Sequence, residues 1–199
     1  MNGQIGCFIQ HMVIEIIVFV KFVEKIKNEK CNREIKMKEI EADIFEFFNK
    51  TNTWIILPTN GCIKKDGSLV MGKGLALGAK IRAQYLPYEI GTLVKLHGNH
   101  AYTVNGYNIF TCPTKEDWKD KSDLKLIERS LIELKKCIDD FKILLTKFNR
   151  ENITIFCPKL GCGEGGLKWE DVKPLIEKYI GEEVIIVSQK EEKLKEFNL

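Results

Sequence analysis

The chain has 199 residues, the size of one ordinary domain that can bury an apolar core without disulfide or metal staples. Its 44% hydrophobic and 30% charged residues exclude a disordered chain and a bundle of membrane helices. The 31 Lys and Arg residues nearly balance the 28 Asp and Glu residues, so the net charge of +3 does not by itself indicate a nucleic-acid or membrane surface.

The first 36 residues differ in composition from the rest, which predicts an N-terminal appendage (1–36, helical or partly disordered) before a main domain (37–199). The apolar run at 12–20 holds a glutamate and ends at Lys21, so it is shorter than the ~20 apolar residues that a membrane-spanning helix needs. We therefore expect no membrane partner. Three interpretations stay open: an extra helix packed on the domain, an in-frame extension upstream of a start at Met37, or an interfacial anchor.

Seven cysteines are scattered along the chain, without a CxxC pair or histidines at the spacing of a zinc site. They are Cys7, Cys31, Cys62, Cys112, Cys137, Cys157 and Cys162. An odd number with no such spacing predicts free thiols in a reducing compartment. We therefore expect a cytoplasmic protein without a metal site.

From Met37 onward, short β-branched or aromatic runs alternate with segments of helical periodicity. The predicted strands are WIIL at 54–57, TLVKL at 92–96, ITIF at 153–156 and EVIIV at 183–187. This alternation is typical of a mostly parallel sheet covered by helices. The predicted fold class is α/β, with a mixed, mostly parallel sheet and helices on both faces.

A hairpin is predicted within this pattern at 101–110. Two alternating runs flank Asn105-Gly106 there, and an Asn-Gly pair is a strong hairpin signal because both residues tolerate a positive φ. We expect the turn to be formed by this pair.

The longest predicted helix follows the hairpin. Its apolar residues are three and four positions apart, so they form one stripe against the sheet, while Lys, Glu and Asp fill the other face. The stripe consists of Leu124, Ile127, Leu131, Leu134, Ile138, Phe141, Leu145 and Phe148.

Eight of the 15 glycines lie in two short stretches, at 61–74 and 161–166, each between a predicted strand and a predicted helix. In an open α/β sheet the ligand binds beyond the carboxyl ends of the strands, where loops lead into helix N-termini with free N–H groups. Two such loops suit a diphosphate better than a single phosphate, because each can line up backbone amides. A pair of tight turns is the alternative.

Neither stretch matches the common nucleotide-binding motifs. The first lacks the GxxxxGK[ST] of a P-loop, and its Gly72-Lys73-Gly74 run is followed by LAL rather than by the spacing of a dinucleotide GxGxxG fingerprint. The second, GCGEGG, leads into a helix opened by Lys168-Trp169. These patterns argue against a P-loop NTPase and a Rossmann dehydrogenase.

Five elements in order, EADIFEF, PTNG, VMGKGLAL, CPTKEDW and KLGCGEGGLKWEDVKPLI, resemble the macrodomain family, which binds ADP-ribose. The likeness covers about residues 37–190. It is strongest to the branch that holds the DNA ADP-ribosyl glycohydrolase antitoxins, the terminal ADP-ribose protein glycohydrolase and phage-type single macrodomains. It implies a three-layer macrodomain fold for 37–199. KKDGSL at 64–69 is an insertion relative to the antitoxins, and 1–36 match nothing in the family.

The resemblance implies binding roles for residues at the predicted strand ends. Asp43-Ile44 matches the position that receives adenine, and a helix cap is the alternative for Asp43. Asn60 matches the asparagine that hydrogen-bonds the distal ribose, and an Asn-Gly turn is its alternative. The other implied substrate-binding residues are Thr59, Gly72, Gly74, Leu75, Thr114, Gly161, Cys162, Gly163, Glu164, Gly165 and Gly166. For Cys162 we favour packing against the ligand over a thiolate nucleophile.

Lys115, in CPTKEDW, matches the catalytic lysine of this branch. ADP-ribose attached through its anomeric carbon can open to an aldehyde, and an unprotonated amine can attack there to form a Schiff base. A solvated loop lysine is the alternative. His97 and His100, at the start of the hairpin, are secondary candidates for a substrate-side role.

One position departs from the protein-directed relative, in which an aspartate of the second glycine loop completes the lysine mechanism. Gly165 stands there, as glycine does in the antitoxins, and Glu164 precedes it. The resemblance therefore implies removal of ADP-ribose from a macromolecule, with nucleic acid favoured over protein, at the anomeric carbon of the distal ribose. The alternatives are an ADP-ribose reader without turnover and an ADP-ribose 1″-phosphate phosphatase. We expect a monomer that needs no cofactor.

Overall fold

The structure, a computed structural model, describes residues 37–150 and 152–189. A six-stranded sheet lies at the centre of these residues. The strands are β1 (Lys38–Glu41), β2 (Thr53–Thr59), β3 (Thr103–Val104), β4 (Ile109–Pro113), β5 (Thr154–Pro158) and β6 (Val184–Ser188). Their order is β1-β6-β5-β2-β4-β3, and within these ranges every neighbouring pair is parallel except β3 with β4. The predictions about 1–36 lie outside the described residues.

Helices cover both faces of this sheet. They are α1 (Gly74–Arg82), α2 (Leu86–His97), α3 (Leu124–Lys147) and α4 (Trp169–Ile180), with short 3₁₀ turns at Ile44–Phe47 and Asn105–Tyr107. In the described ranges, no helix combines the length and the apolar character needed to cross a membrane.

The central strand β2 shows how the two helix layers are held. Trp54 and Ile56 belong to the core cluster under α3 and α4, whereas Ile55 and Leu57 belong to the cluster under α1 and α2. Side chains alternate across a strand, so a strand that is apolar at every position buries both of its faces. The predicted α/β fold, a mixed and mostly parallel sheet between helices, is confirmed.

The predicted strand at 92–96 is wrong, because these residues form the last turns of α2. Leu86, Ile90 and Val94 are buried at intervals of four and form one helical face toward the sheet. Pro87 lies in the first turn, where its missing N–H leaves no helical hydrogen bond unmade. Helical spacing over the whole segment therefore outweighs the β-branched composition of a five-residue run.

The predicted hairpin is present, but its turn differs from the expected Asn-Gly turn. β3 pairs antiparallel with β4, and Val104 lies opposite Ile109. The 3₁₀ turn Asn105–Tyr107 and then Asn108, whose φ is 53°, connect the two strands. Asparagine occupies this left-handed region more readily than most residues with a side chain, so Asn108 takes the left-handed position of the turn.

The longest predicted helix is confirmed as α3. Its apolar stripe is fully buried at Ile127, Leu131, Leu134 and Ile138. Phe148 lies beyond the last helical residue and is 66% exposed. The stripe therefore packs against the sheet over its first four turns and leaves the core toward its end.

The segment between Ile63 and Leu69 folds back on itself and packs against α2. The two residues form an antiparallel bridge, and the Leu69 N–H donates to the Pro87 carbonyl at 2.8 Å. Gly91 of α2 permits this approach, because a Cβ there would lie 2.2 Å from the Gly67 carbonyl oxygen. The inserted part of the first glycine stretch is thus a packed arm on α2.

We expect Gly91→Ala to lower the free energy of unfolding by about 1–3 kcal/mol, the usual scale for an overpacked site. The gain in helix propensity, at most about 1 kcal/mol, is smaller than the cost of pressing a methyl group onto backbone atoms. Gly106→Ala is the control, because a Cβ at Gly106 meets no described atom within 4 Å. Urea unfolding measures both variants. An unchanged midpoint for Gly91→Ala would show that the arm does not depend on this close approach.

Candidate ligand-binding cleft

Three neighbouring parallel strands end at the same edge of the sheet. β2 ends at Thr59, β4 at Pro113 and β5 at Pro158, and β2 lies between the other two. The segments that follow them contain Asn60, Lys115 and the second glycine stretch, respectively. Parallel pairing therefore gathers residues that are distant in sequence at the edge where open α/β sheets bind ligands.

Glu164 is the point at which the two glycine stretches and Lys115 meet. The Nζ of Lys115 donates to the Glu164 carbonyl at 2.9 Å. The Nζ of Lys73 lies 3.7 Å from the Glu164 carboxylate, and a Cβ on Gly74 would lie 3.6 Å from the Cγ of Glu164. The Lys73–Glu164 pair is mostly exposed and adds little stability. The pair shows that the first and second glycine stretches face each other.

Three of the glycines expected to bind ligand border open space. A Cβ built on Gly72, Gly163 or Gly166 meets no atom of the described chain within 4 Å. Gly74 and Gly166 have φ values of 53° and 72°, a conformation that other residues adopt with strain. Open backbone beside the N-termini of α1 and α4 is suited to the close approach of phosphate groups.

Gly161 and Gly165 are packed rather than open. A Cβ on Gly165 would lie 2.1 Å from the Oγ of Ser122 and 2.4 Å from the Gly161 carbonyl oxygen. The Ser122 N–H also donates to the Gly165 carbonyl at 3.0 Å. A Cβ on Gly161 would lie 3.0 Å from both Leu167 and Ser122. These two glycines shape the second loop, and the packing leaves no room for a side chain at position 165.

Asn60 makes its hydrogen bonds within the first loop. Its side chain is nearly buried; Nδ2 donates to the Val70 carbonyl at 2.8 Å, and Oδ1 accepts from the Cys62 N–H at 3.0 Å. The bond from the Cys62 N–H closes an Asx turn over Gly61. A ribose hydroxyl can use only the second N–H of the amide or the remaining lone pair of its oxygen.

Thr59 and Thr114 are buried and extend the pairing of β2 with β4. The Thr114 N–H donates to the Thr59 carbonyl at 3.0 Å, and the Thr114 carbonyl accepts from the Asp123 N–H at 3.1 Å. Leu75 is half-buried against the core cluster under α1 and α2. These three residues position the edge of the cleft through backbone and packing.

Asp43 and Ile44 follow β1 at the same edge of the sheet. The Oδ1 of Asp43 accepts from the Phe45 N–H at 3.0 Å, so the capping role is formed. Ile44 is 1% exposed, and its side chain packs in the core. A ligand at this position would meet the backbone of Ile44 rather than its side chain.

Cys162 has the environment of a packing residue. Burial raises the pKa of its thiol, and this effect outweighs the opposing influence of Lys159. The Sγ lies 3.4 Å from the Leu160 carbonyl, and the side chain packs on the core cluster under α3 and α4. A raised pKa leaves less thiolate at neutral pH, which favours packing over nucleophilic attack.

Asn99, Glu116 and Arg129 surround the backbone of Lys115 but were not singled out by sequence. The Nδ2 of Asn99 donates to the Lys115 carbonyl at 3.0 Å. Arg129 of α3 lies 3.5 Å from the Glu116 carboxylate. Asn99 and Arg129 belong to no motif, so no local pattern could have indicated them, whereas Glu116 directly follows Lys115 within CPTKEDW.

The two histidines beside Asn99 have other partners. The Nδ1 of His100 lies 2.8 Å from the Glu133 carboxylate, and the His97 ring lies 6.4 Å from the Tyr102 ring. Among the residues that the structure describes, no three His, Cys, Asp or Glu side chains are grouped to hold a metal ion.

Two curated proteins of similar sequence have names that contain DNA ADP-ribosyl glycohydrolase. No family model matches the chain. It is 31% identical over 133 residues to a DNA ADP-ribosyl glycohydrolase of Mycobacterium tuberculosis, covering 62% of this chain and 34% of the relative. It is 28% identical over 181 residues to a DNA ADP-ribosyl transferase-DNA ADP-ribosyl glycohydrolase fusion protein of Thermosipho africanus, covering 75% and 41%. The chain thus spans well under half the length of these curated relatives.

Solved structures of similar shape identify the fold. The macrodomain of Mycobacterium tuberculosis DarG has a TM-score of 0.56 at 23% identity, covering 77% of this chain and 97% of that one. Thermosipho africanus DarTG, solved in complex with ADP-ribose, has a TM-score of 0.55 at 23% identity, covering 80% and 43%. The sheet and its glycine loops define an α/β protein whose two glycine stretches face each other at the strand ends. More particularly, the chain has the macrodomain fold, as its sequence motifs predicted.

We expect Cys162 to react with iodoacetamide more slowly than glutathione at pH 7.5, because its raised pKa leaves less thiolate. The rate should keep rising as the pH passes the ordinary thiol pKa of about 8.5. Peptide mapping by mass spectrometry between pH 7 and pH 10 measures it. Rapid alkylation at pH 7 would favour the nucleophile instead.

Proposed function

We propose that this protein binds ADP-ribose between its two glycine loops and removes it by hydrolysis from an ADP-ribosylated macromolecule. The observation that carries the proposal is the 2.9 Å hydrogen bond from the Nζ of Lys115 to the Glu164 carbonyl, which holds an amine at the second glycine loop. The names of the relatives, DNA ADP-ribosyl glycohydrolase and its transferase fusion, support the same activity.

The diphosphate is proposed to lie along the open glycines of the cleft. Gly72 and Gly163 offer backbone without side chains on the two facing loops, and α1 begins at Gly74 directly after the first. Backbone amides and the positive end of a helix dipole both stabilise phosphate charge. Binding in this scheme depends mostly on backbone groups, so it tolerates changes to the catalytic side chain.

Lys115 is proposed to act at the anomeric carbon of the distal ribose. Its unprotonated amine attacks this carbon, the bond from the carbon to the macromolecule breaks, and the leaving group takes up a proton. The ring carbon–oxygen bond at the same carbon then breaks, its oxygen takes up the remaining proton of Nζ, and an imine joins the carbon to Nζ. Water then hydrolyses the imine, which releases ADP-ribose with a free anomeric centre and returns the amine. A backbone carbonyl as the partner of Nζ holds the amine at the second glycine loop without an ion pair.

Nucleic acid is the substrate class we favour. The curated relatives are named for DNA, and Gly165 occupies the loop position at which the resemblance places an aspartate in the protein-directed enzyme. Ser122 fills the space beside Gly165, so this chain has no room there for an equivalent carboxylate. The same observation supports the second candidate, an ADP-ribose reader without turnover. Side-by-side assays on ADP-ribosylated DNA and ADP-ribosylated protein distinguish these possibilities.

ADP-ribose is expected to raise the melting temperature, with a stabilisation of about 2.7 kcal/mol at a concentration 100-fold above the dissociation constant. Gly163→Val should abolish the shift while leaving the unliganded melting temperature nearly unchanged, because its side chain projects into space a phosphate would need. Gly106→Val is the matched control, since Gly106 is equally open but precedes β4 at the opposite edge. Thermal denaturation with and without ADP-ribose measures both. An unchanged melting temperature of the wild-type protein at millimolar ADP-ribose would contradict the binding proposal.

Lys115→Ala should keep ADP-ribose affinity within a few-fold but lower the rate of de-ADP-ribosylation at least ~100-fold, the scale for losing a nucleophile or proton-transfer group. Lys115→Arg should be almost as slow, because a guanidinium stays protonated and forms no imine. Lys119→Ala, a change of an exposed lysine in the same loop, is the control. Single-turnover assays on ADP-ribosylated DNA measure the rates. Near-wild-type turnover by Lys115→Arg would mean that the lysine contributes only charge.

A further inference from the structure

Asn99 makes its side-chain contacts with the residue proposed to carry the chemistry and with its neighbour. It lies between α2 and β3, outside every motif that the sequence analysis used. Its Nδ2 donates to the Lys115 carbonyl at 3.0 Å and to the Glu116 carboxylate at 2.8 Å. Both partners are acceptors, so the amide can face them only with its nitrogen.

The position of Asn99 is itself fixed from two other elements. Arg129 of α3 donates to the Asn99 carbonyl at 2.7 Å. On the opposite side, a Cβ on Gly61 would lie 3.1 Å from the Asn99 side chain, so the loop after β2 packs directly on it. The Gly61 N–H in turn donates to the Glu116 carbonyl at 3.0 Å. Asn99 therefore joins α3 and the loop after β2 to the backbone of Lys115.

The amide oxygen of Asn99 is not stabilised by these contacts. The Oδ1 of Asn99 is buried and has no hydrogen-bond partner among the described residues. A buried acceptor without a partner is unfavourable, so asparagine is a poor choice here for stability alone. Its donor, which faces Lys115 and Glu116, is the feature that the structure uses.

We propose that Asn99 is a positioning residue, which fixes the backbone at Lys115 so that the Nζ is held at the Glu164 carbonyl in the cleft. This inference rests on the proposed function of Lys115. A lysine side chain has four rotatable bonds, and its reach to a reacting atom depends on where its backbone is held. Misplacement by about 1 Å can lower a catalysed rate ~100-fold without removing any reacting group.

The test is Asn99→Asp in the full-length protein. This substitution keeps the size of the side chain but turns an acceptor toward the Lys115 carbonyl and the Glu116 carboxylate. Asn108→Asp is the matched control, because the Nδ2 of Asn108 also donates to a backbone carbonyl, that of Lys50 at 3.2 Å, but at the opposite end of β4. A second variant, Asn99→Ala, removes the donor without adding charge.

We expect both Asn99 variants to lower kcat at least ~10-fold on ADP-ribosylated DNA, with KM and the affinity for free ADP-ribose within about threefold of wild type. Asn108→Asp should leave all three within about twofold. In the double variant Asn99→Asp with Glu116→Gln, an amide donor again faces the residue at 99, and part of the lost kcat should return. Unchanged kcat in both Asn99 variants would overturn the proposal. So would a fall in kcat that matches a loss of ADP-ribose binding sites, since that pattern indicates partial unfolding.

A readout without turnover separates this inference from the proposed reaction. Free ADP-ribose presents an aldehyde, which condenses with an amine to an imine and water, and cyanoborohydride supplies the hydride that reduces the imine to a stable secondary amine. Lys115 should be labelled faster than Lys119, and Asn99→Asp should remove this preference. If wild type turns over no substrate yet Asn99→Asp loses the preference, the hydrolase proposal fails and the positioning role stands. If Asn99→Asp keeps the preference, the positioning role fails.

Discussion

The parallel pairing of β2 with β4 on one side and with β5 on the other is the constraint on which the cleft depends. Because the three strands run in one direction, their carboxyl ends coincide, and the loops that follow must share one edge. The pairing continues past the strands, through the Thr114 N–H to the Thr59 carbonyl and the Gly61 N–H to the Glu116 carbonyl. The register of the sheet is thereby carried into the loops, and Lys115 arrives beside the second glycine stretch.

The glycines of the cleft serve two physical purposes that a sequence cannot separate. Gly163 borders open space, whereas Gly165 fits against Ser122 and the Gly161 carbonyl. The first kind leaves room for a ligand, and the second lets the loop pack on the start of α3. The packed glycines thus give the open ones a rigid support, which a site that binds phosphate through backbone amides requires.

Local patterns predicted most of the fold. The stripe of α3 and the hydrophobic runs of β2, β5 and β6 correspond to observed elements. The run at 92–96 failed because five residues are too few to separate a strand from a helix, and the buried face that decides the matter begins at Leu86. In the hairpin, the left-handed residue is Asn108 rather than a member of the Asn-Gly pair, because the pairing of Val104 with Ile109 sets the length of the turn.

The sequence by itself determined the fold class, the two glycine stretches and the lysine between them, because periodicity, glycine clustering and a short motif are all local properties. Tertiary structure alone decided which groups surround Lys115. Asn99 lies 16 positions before it, and Glu164 lies 49 positions after it. Contacts over such separations follow from strand order and helix packing. The sequence around either residue has no periodic pattern that predicts them. For the same reason, the sequence indicated His97 and His100 by their chemistry, while the fold directed the side chain of Asn99, between them, to the Lys115 carbonyl and the Glu116 carboxylate.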